Sequence, residues 1–264
     1  MPSLRLFFAL AIVIGSLVIS SPERLAARES GTGAAFEVWM IDQSDTTAEG
    51  GGTLSIYASE ALTGEDPAAA EAEVIDLGEE AEDLCLEQTG SVPKRPHMIL
   101  FNAGQSHAII AYVATGHVLF MDAATRAPLT CLDAGEQAHA AFPAPDESYV
   151  VVANQNGKFL QRVTTDYATN TFTLDEAATI NLATCTTPSG APCEEATLRP
   201  DNAPICPIID GSSRFTAVTL RGGGLLVRWR WPAWPCVRVA KPSGRCPDRL
   251  FAPAPPPLPI PAAG

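Results

Sequence analysis

Residues 139–160 read HAAFPAPDESYVVVANQNGKFL, and this stretch decides the fold. A Pro-Asp turn separates a first apolar segment from residues 149–153, and an Asn-Gly turn then leads into a third apolar segment. Residues 149–153 are aromatic, β-branched or small and apolar at every position, and they are too few for a helix. The pattern therefore predicts a β-strand that is covered on both faces.

The same arrangement recurs along the chain at a spacing of about 42 residues. His97 falls on His139, and HAIIAYV at 107–113 falls on YVVVANQ at 149–155. Two further alignments pair residues 122–125 with 166–169 and residues 215–226 with 149–160. A weaker copy of the repeat begins at residue 36. A repeat near ~40–45 residues is typical of propeller blades, so the sequence predicts an all-β fold, a β-propeller of four-stranded antiparallel blades.

The order of strand, Pro-Asp turn, YVVVAN, Asn-Gly turn, strand and Asp-x-x-Thr turn resembles the YVTN-type β-propellers. These are grouped with the quinoprotein amine dehydrogenase-like and lactonase-like propellers. The resemblance covers residues 36–227 and implies a fold, since such propellers include electron-transfer enzymes, hydrolases and binding proteins. Residues 28–227 are enough for about four blades, which predicts an incomplete propeller.

The amino terminus has the composition of an export signal. Arg5 precedes an apolar run over residues 6–19, and small residues follow at 26–27. The run is short of the ~20 apolar residues that span a membrane, so residues 1–27 are predicted to be a secretory signal peptide. We therefore expect a periplasmic or extracellular protein that is not integral to the membrane after cleavage.

The blade region, residues 28–227, is acidic, and the whole chain carries a formal net charge of −13. This charge argues against nucleic acid as a partner and leaves an unknown small molecule or protein. Residues 60–87 hold eleven carboxylates and no basic residue. Their spacing lacks that of an EF-hand, so we expect a solvated loop around an outer strand at 74–77.

An insertion interrupts the repeat at residues 184–206 and contains Cys185, Cys193 and Cys206. Cysteines in an exported protein most often form disulfides, and no Cys-x-x-Cys pair favours zinc. Two of these three are therefore expected to lie close enough to bridge, with the pairing left open. Cys85 and Cys131 bring the blade region to an odd number of cysteines, so one thiol is free or pairs elsewhere.

The character of the chain changes at residue 228. Residues 228–264 are basic, rich in proline, and hold three of the four tryptophans. Proline at this density cannot donate to a strand ladder, so no packed blade is expected there. Two interpretations compete: a genuine Pro-rich basic tail that is disordered, or the product of a shifted reading frame.

Few residues carry chemistry. The sequence has no nucleophile elbow, zinc-protease motif, phosphate loop or dinucleotide fingerprint. His97 and His139 share one repeat position beside the innermost strands, so symmetry should bring their rings together near the propeller axis. They are candidate ligands for a transition metal ion, with strand-capping hydrogen bonds as the alternative. His107 and His117 are expected to be structural or surface-exposed.

Three function classes follow. The first is an exported binding or scaffold module with an unknown ligand. The second is a metal- or quinone-dependent oxidoreductase with its site at the mouth of the propeller channel. The third is a lactonase-like hydrolase. Whether the protein is an enzyme is left open by the sequence.

Overall fold

The computed structural model describes residues 35–43, 51–186, 190–195 and 201–221, and the backbone of residues 226–230 and 238–239. Four antiparallel sheets follow one another along the chain, here called blades 1 to 4. The strands are β1 Glu37–Asp42, β2 Thr53–Ala58 and β3 Glu73–Asp76 in blade 1; β4 Pro96–Phe101, β5 His107–Tyr112, β6 His117–Asp122 and β7 Pro128–Asp133 in blade 2; β8 Ala138–Pro143, β9 Tyr149–Asn154, β10 Phe159–Asp166 and β11 Thr171–Asn181 in blade 3; β12 Pro204–Ile209, β13 Phe215–Leu220, β14 Leu226–Arg230 and β15 Arg238–Val239 in blade 4. The helices are α1 Ser59–Leu62, a 3-10 turn at Pro67–Ala69, and α2 Leu77–Thr89.

The blades stack face to face around their first strands. In blades 2 to 4 the strands pair in sequence order, and β4 packs against β8, which packs against β12. Each pair of neighbouring blades encloses its own apolar layer. This arrangement confirms the predicted all-β propeller of about four blades.

Strand β9 shows why the repeat has its composition. Val150 and Val152 lie in the layer between blades 2 and 3, whereas Tyr149, Val151 and Ala153 lie in the layer between blades 3 and 4. All five are almost completely buried. A strand with layers on both sides needs an apolar residue at every position, as the sequence predicts.

The turn between the third and fourth strands has the same structure in blades 2 and 3. Asp122 Oδ1 accepts from the backbone N–H groups of Ala124 and Thr125 at 2.9 and 2.7 Å. Asp166 Oδ1 accepts from the corresponding N–H groups two and three residues further on. The Asp-x-x-Thr pattern is therefore a side-chain-capped turn.

Blade 1 differs from the others. Its described residues form three strands, and β1 runs in the opposite direction to β4. Glu37, at the start of β1, pairs with Arg126 at one end of blade 2. Gln43, just after the end of β1, contacts His97 at the opposite end of blade 2. In contrast, β4 and β8 run the same way. The directions of β1, β2 and β3 match those of the second, third and fourth strands of a full blade.

The acidic segment at 60–87 is not the predicted loop. The expected outer strand is present as β3, but α2 follows it directly. Asp76 caps the helix by accepting from the N–H groups of Gly78 and Glu79, and Gly90 ends it in the left-handed conformation. Leu77, Ala81 and Cys85 recur at every fourth position and are buried, while the carboxylates between them are mostly exposed. The helix is therefore stabilised by packing these buried side chains into the apolar layer of blades 1 and 2.

Disulfide bonds are present, as predicted. Cys185 and Cys193 are joined within the insertion, with Cα atoms 5.3 Å apart, and Cys206 is a free thiol. Cys85 of α2 is joined to Cys131 of β7, a pairing that the sequence did not indicate. Strand β12 begins at Pro204, so the end of the predicted insertion at 184–206 belongs to blade 4.

Residues 228–264 were predicted to form no packed blade, but the described residues at the start of this segment continue the last sheet. The backbone of β14 continues to Arg230, which pairs with Phe215, and β15 pairs with β14 to complete a four-stranded sheet. The strand is possible because the first proline of the tail, Pro232, comes only after Arg230. The rest of the tail at 228–264 and the predicted signal peptide at 1–27 lie outside the described residues.

Candidate functional site: a histidine pair at the inner strands

His97 and His139 each occupy a β-bulge near the start of a first strand. In blade 2 the register passes from Pro96 opposite Tyr112 to Met98 opposite Ala111, so His97 is the extra residue. In blade 3 it passes from Ala138 opposite Asn154 to Ala140 opposite Ala153, so His139 is the extra residue. A bulge redirects the side chain that it carries, which brings these two rings together across the blade boundary.

The two imidazoles are in contact. Their ring centroids are 4.4 Å apart and their planes meet at 62°, an edge-to-face arrangement. The structure thus brings together the two residues that the repeat had paired. Both residues are partly buried.

Blade 4 has a bulge at the same place. Its register passes from Pro204 opposite Leu220 to Pro207 opposite Val218, with Ile205 and Cys206 facing Thr219. The carbonyl oxygen of Ile205 lies 3.2 Å from Nδ1 of His139. The third bulge therefore supplies a backbone acceptor to the pair.

The partners of the rings fix their tautomers. A carbonyl oxygen only accepts, so Nδ1 of His139 carries the proton and donates to Ile205. Nδ1 of His97 lies 2.8 Å from Oε1 of Gln43, which makes it a donor as well. In the neutral form each Nε2 then holds a lone pair. No hydrogen-bond partner for either Nε2 is found among the residues that the structure describes.

Both rings are held in the neutral form. Burial lowers the pKa of His97 below its usual value, and the nearby Arg95 guanidinium lowers it further. Burial also lowers the pKa of His139, and the His97 ring lowers it further, although the Ile205 carbonyl acts in the opposite direction. At neutral pH the pair therefore presents two lone pairs without a positive charge.

The other two histidines are structural. His107 is buried and bridges blades through Nε2, which lies 2.8 Å from Oδ1 of Asn170. His117 is fully buried among the hydroxyls of Thr89, Ser91 and Thr115. Neither is surface-exposed, so of the two alternatives foreseen from the sequence only the structural one holds.

Sequence reasoning missed the groups that orient the pair. Gln43 follows β1, 54 residues before His97, and nothing in the repeat marks it. The Ile205 carbonyl is a backbone group, and its role depends on the bulge and not on a side chain. The copy of the repeat at 215–226 is offset by 66 residues from 149–160, and the same offset aligns Ile205 with His139, which was the available signal.

The arrangement offers two nitrogen acceptors, one on each of two imidazole rings in contact. Among the described residues no group of three or more His, Cys, Asp or Glu side chains is placed to hold a metal ion. The pair can accept two hydrogen bonds from a bound molecule or supply two ligands to a metal ion. Any remaining donors would come from the solute or from water.

No helix in the described part of the chain is long and apolar enough to cross a membrane.

No family model and no curated protein matches the sequence. Solved structures do. A candidate 6-phosphogluconolactonase from Bacteroides uniformis is 12% identical with a TM-score of 0.51, over 78% of this chain and 52% of that one. The periplasmic gluconolactonase PpgL of Pseudomonas aeruginosa is 14% identical with a TM-score of 0.49, over 78% and 50%. The propeller domain of Myceliophteria thermophila Cps50 (Swd1) is 10% identical with a TM-score of 0.48, over 72% and 56%.

The Bacteroides uniformis structure supports one conclusion about the fold. The chain spans about half the length of each of these three solved structures. Identities this low show architecture alone, and the YVTN-type relationship has no family match to support it. Taken with the sheet order and the stacked first strands, the likeness to the Bacteroides uniformis structure makes this chain a β-propeller protein.

Proposed function

We propose that the protein is an exported binding module whose ligand is held by His97 and His139. One observation carries the proposal: equivalent bulges in blades 2 and 3 place two neutral imidazoles in contact, with both Nε2 lone pairs available. Two adjacent acceptors without charge complement a molecule rich in hydrogen-bond donors. A sugar or another small polyol has that chemistry.

Export is supported by the cysteines. Two disulfide bonds, Cys85–Cys131 and Cys185–Cys193, fit an oxidising compartment. The predicted signal peptide at 1–27 supplies the route. A periplasmic or extracellular location is therefore part of the proposal.

Hydrolysis of a sugar lactone and metal- or quinone-dependent oxidation are the catalytic alternatives. The names of two structural neighbours include a lactonase activity, and that activity is theirs. The histidine pair would have to serve as a general base for the first alternative and as a metal site for the second. Both are therefore outcomes of experiments on the same two residues.

The test uses NMR of protein whose histidine rings are labelled with ¹⁵N. This protein is titrated with D-glucose, myo-inositol, D-gluconate and D-glucono-1,5-lactone. EDTA is present so that metal ions play no part. We expect at least one of these to shift the Nε2 resonances of His97 and His139. His107 and His117 are internal controls, because their ring nitrogens are hydrogen-bonded inside the fold.

Two results would overturn the proposal. If no member of the panel shifts His97 or His139, the pair does not bind donor-rich molecules. If the lactone is hydrolysed faster than in buffer, and His97→Ala with His139→Ala abolishes the excess, the protein is a hydrolase. The variant Thr173→Ala, at an exposed position on β11, serves as the matched control.

A further inference from the structure

We propose that His97 and His139 form a two-ligand site for a divalent transition metal ion of the Cu²⁺ or Zn²⁺ class. The proposal rests on the site of the proposed function but requires a different ligand. Its test uses metal ions alone, whereas the sugar panel contains a chelator. Failure of one therefore leaves the other standing.

The separation of the rings fits a shared ion. Imidazole nitrogen binds Zn²⁺ at about 2.0–2.1 Å, so two rings on one ion have centroids roughly 5 Å apart when they occupy neighbouring positions. The observed separation is 4.4 Å, and the rings are inclined at 62° and not stacked. A centroid separation of this size is compatible with two imidazoles that ligate one ion.

The hydrogen-bond partners of the two Nδ1 atoms are of the kind found for metal-binding histidines. A ligating imidazole generally donates its second N–H to a carbonyl or carboxylate, which fixes the tautomer and the ring orientation. Here Nδ1 of His139 donates to the Ile205 carbonyl and Nδ1 of His97 donates to Gln43 Oε1. Both bonds direct the metal-binding lone pair to Nε2.

The backbone supports the same geometry. Each histidine is held in a bulge whose neighbours are paired in the strand ladder, so the positions of the Cα atoms are fixed by blades 2 and 3. Neutral imidazole suits Cu²⁺, Zn²⁺ and Ni²⁺, whereas Ca²⁺ and Mg²⁺ require oxygen ligands. Because the described residues supply two ligands and not three, the ion would keep exchangeable positions for water or a bound molecule.

The test is isothermal titration of the full chain, freed of metal, with ZnCl₂ and CuSO₄ at pH 7.5. We expect one ion per chain, and at least a tenfold loss of affinity in His97→Ala and in His139→Ala. Gln43→Ala removes an orienting acceptor and should weaken binding by about tenfold, the lower end of the effect of such partners. CaCl₂ should give no heat of binding.

Cys206→Ser is the matched control, since Cys206 is a free thiol in the equivalent bulge of blade 4. It should leave the affinity unchanged, and an equal loss there would overturn the two-imidazole site. The Cu²⁺ electron paramagnetic resonance spectrum gives a second readout that does not depend on variants. We expect hyperfine splitting from two equivalent nitrogens. A spectrum without nitrogen splitting, or zinc affinity unchanged in the double alanine variant, would refute the proposal.

Discussion

Asn102 and Glu147 join blades 2 and 3 at the end opposite to the histidine pair. Nδ2 of Asn102 donates to Oε1 of Glu147 at 2.8 Å, and the backbone N–H of Gly104 donates to the same oxygen at 2.7 Å. Glu147 has a φ of +61°, a left-handed conformation that also occurs at Gln105 in the equivalent turn of blade 2. One carboxylate thus satisfies two donors of the neighbouring blade.

Glu147→Ala should lower the free energy of unfolding by about 1 kcal/mol, because the buried Asn102 amide then keeps only its bond to Ser106, whereas the exposed N–H of Gly104 can bind water. Glu147→Gln has the same backbone strain but retains one carbonyl oxygen, so its loss should be smaller. Urea unfolding followed by circular dichroism measures both. Equal losses in the two variants would show that the contact contributes nothing specific.

Two buried tyrosines should respond in opposite ways to loss of the hydroxyl. Tyr149 donates to the carbonyl of Ser213 at 2.8 Å, which links blades 3 and 4. Tyr112 is fully buried, and its hydroxyl has no hydrogen-bond partner among the described residues. We expect Tyr149→Phe to cost about 1 kcal/mol and Tyr112→Phe to be neutral or stabilising. Thermal unfolding of both variants measures this difference. A larger loss of stability in Tyr112→Phe than in Tyr149→Phe would show that the Tyr112 hydroxyl does have a stabilising partner.

The two disulfides should contribute unequally to stability. Cys85 and Cys131 are 46 residues apart, whereas Cys185 and Cys193 are 8 apart. In the chain-entropy model the longer loop is worth about 4 kcal/mol and the shorter about 2.5 kcal/mol. Paired alanine substitutions compared by urea unfolding test this order. The opposite order would mean that the insertion is the more important element for stability.

Stability should decrease as the pH falls below neutral. The pKa values of His97, His117 and His139 are lowered in the folded protein, chiefly by burial. The unfolded chain takes up these protons near pH 6.5, and the folded protein does so only at lower pH. Between these limits the unfolded state binds more protons, so acid favours unfolding, while above about pH 7.5 the effect is absent.

Urea midpoints at pH 7.5, 6.5 and 5.5 measure this dependence. His97→Asn combined with His139→Asn removes two of the three groups and should flatten the profile. His117 stays in place and should retain part of the slope. A double variant with the slope of the wild type would show that the pair does not titrate as described.

The repeat was enough to predict the propeller and the histidine pair. Val150 and Val152 needed cover on both faces, and the offset of 42 residues placed His97 on His139. The bulges that bring the rings together are backbone features, and their sequences, Pro-His-Met and Ala-His-Ala, have nothing in common except the histidine. The orienting groups depend on contacts between blades, which an internal repeat does not encode.

Helix α2 shows a different limit. Asp76, Gly90 and the four-residue spacing of Leu77, Ala81 and Cys85 were visible signals for a helix. They were outweighed by the density of carboxylates, which suggested a solvated loop. The helix is stabilised by the apolar layer beneath it and by the bond from Cys85 to Cys131, and both depend on the position of blade 2. The last strands of blade 4 were missed for a similar reason, because the basic, proline-rich composition of residues 228–264 hid that the sheet continues to Arg230.

Among the described residues, the blades stack in sequence order, and each is stabilised by the blades beside it. Blades 2 and 3 are thus supported on two sides, whereas blades 1 and 4 are each supported by one described neighbour. Among the described blades, opening should therefore start at blades 1 and 4 and reach blades 2 and 3 last. Amide protons of β5 and β9 would then exchange last, and the histidine pair, which lies at the boundary of the two central sheets, would be among the last features to be lost.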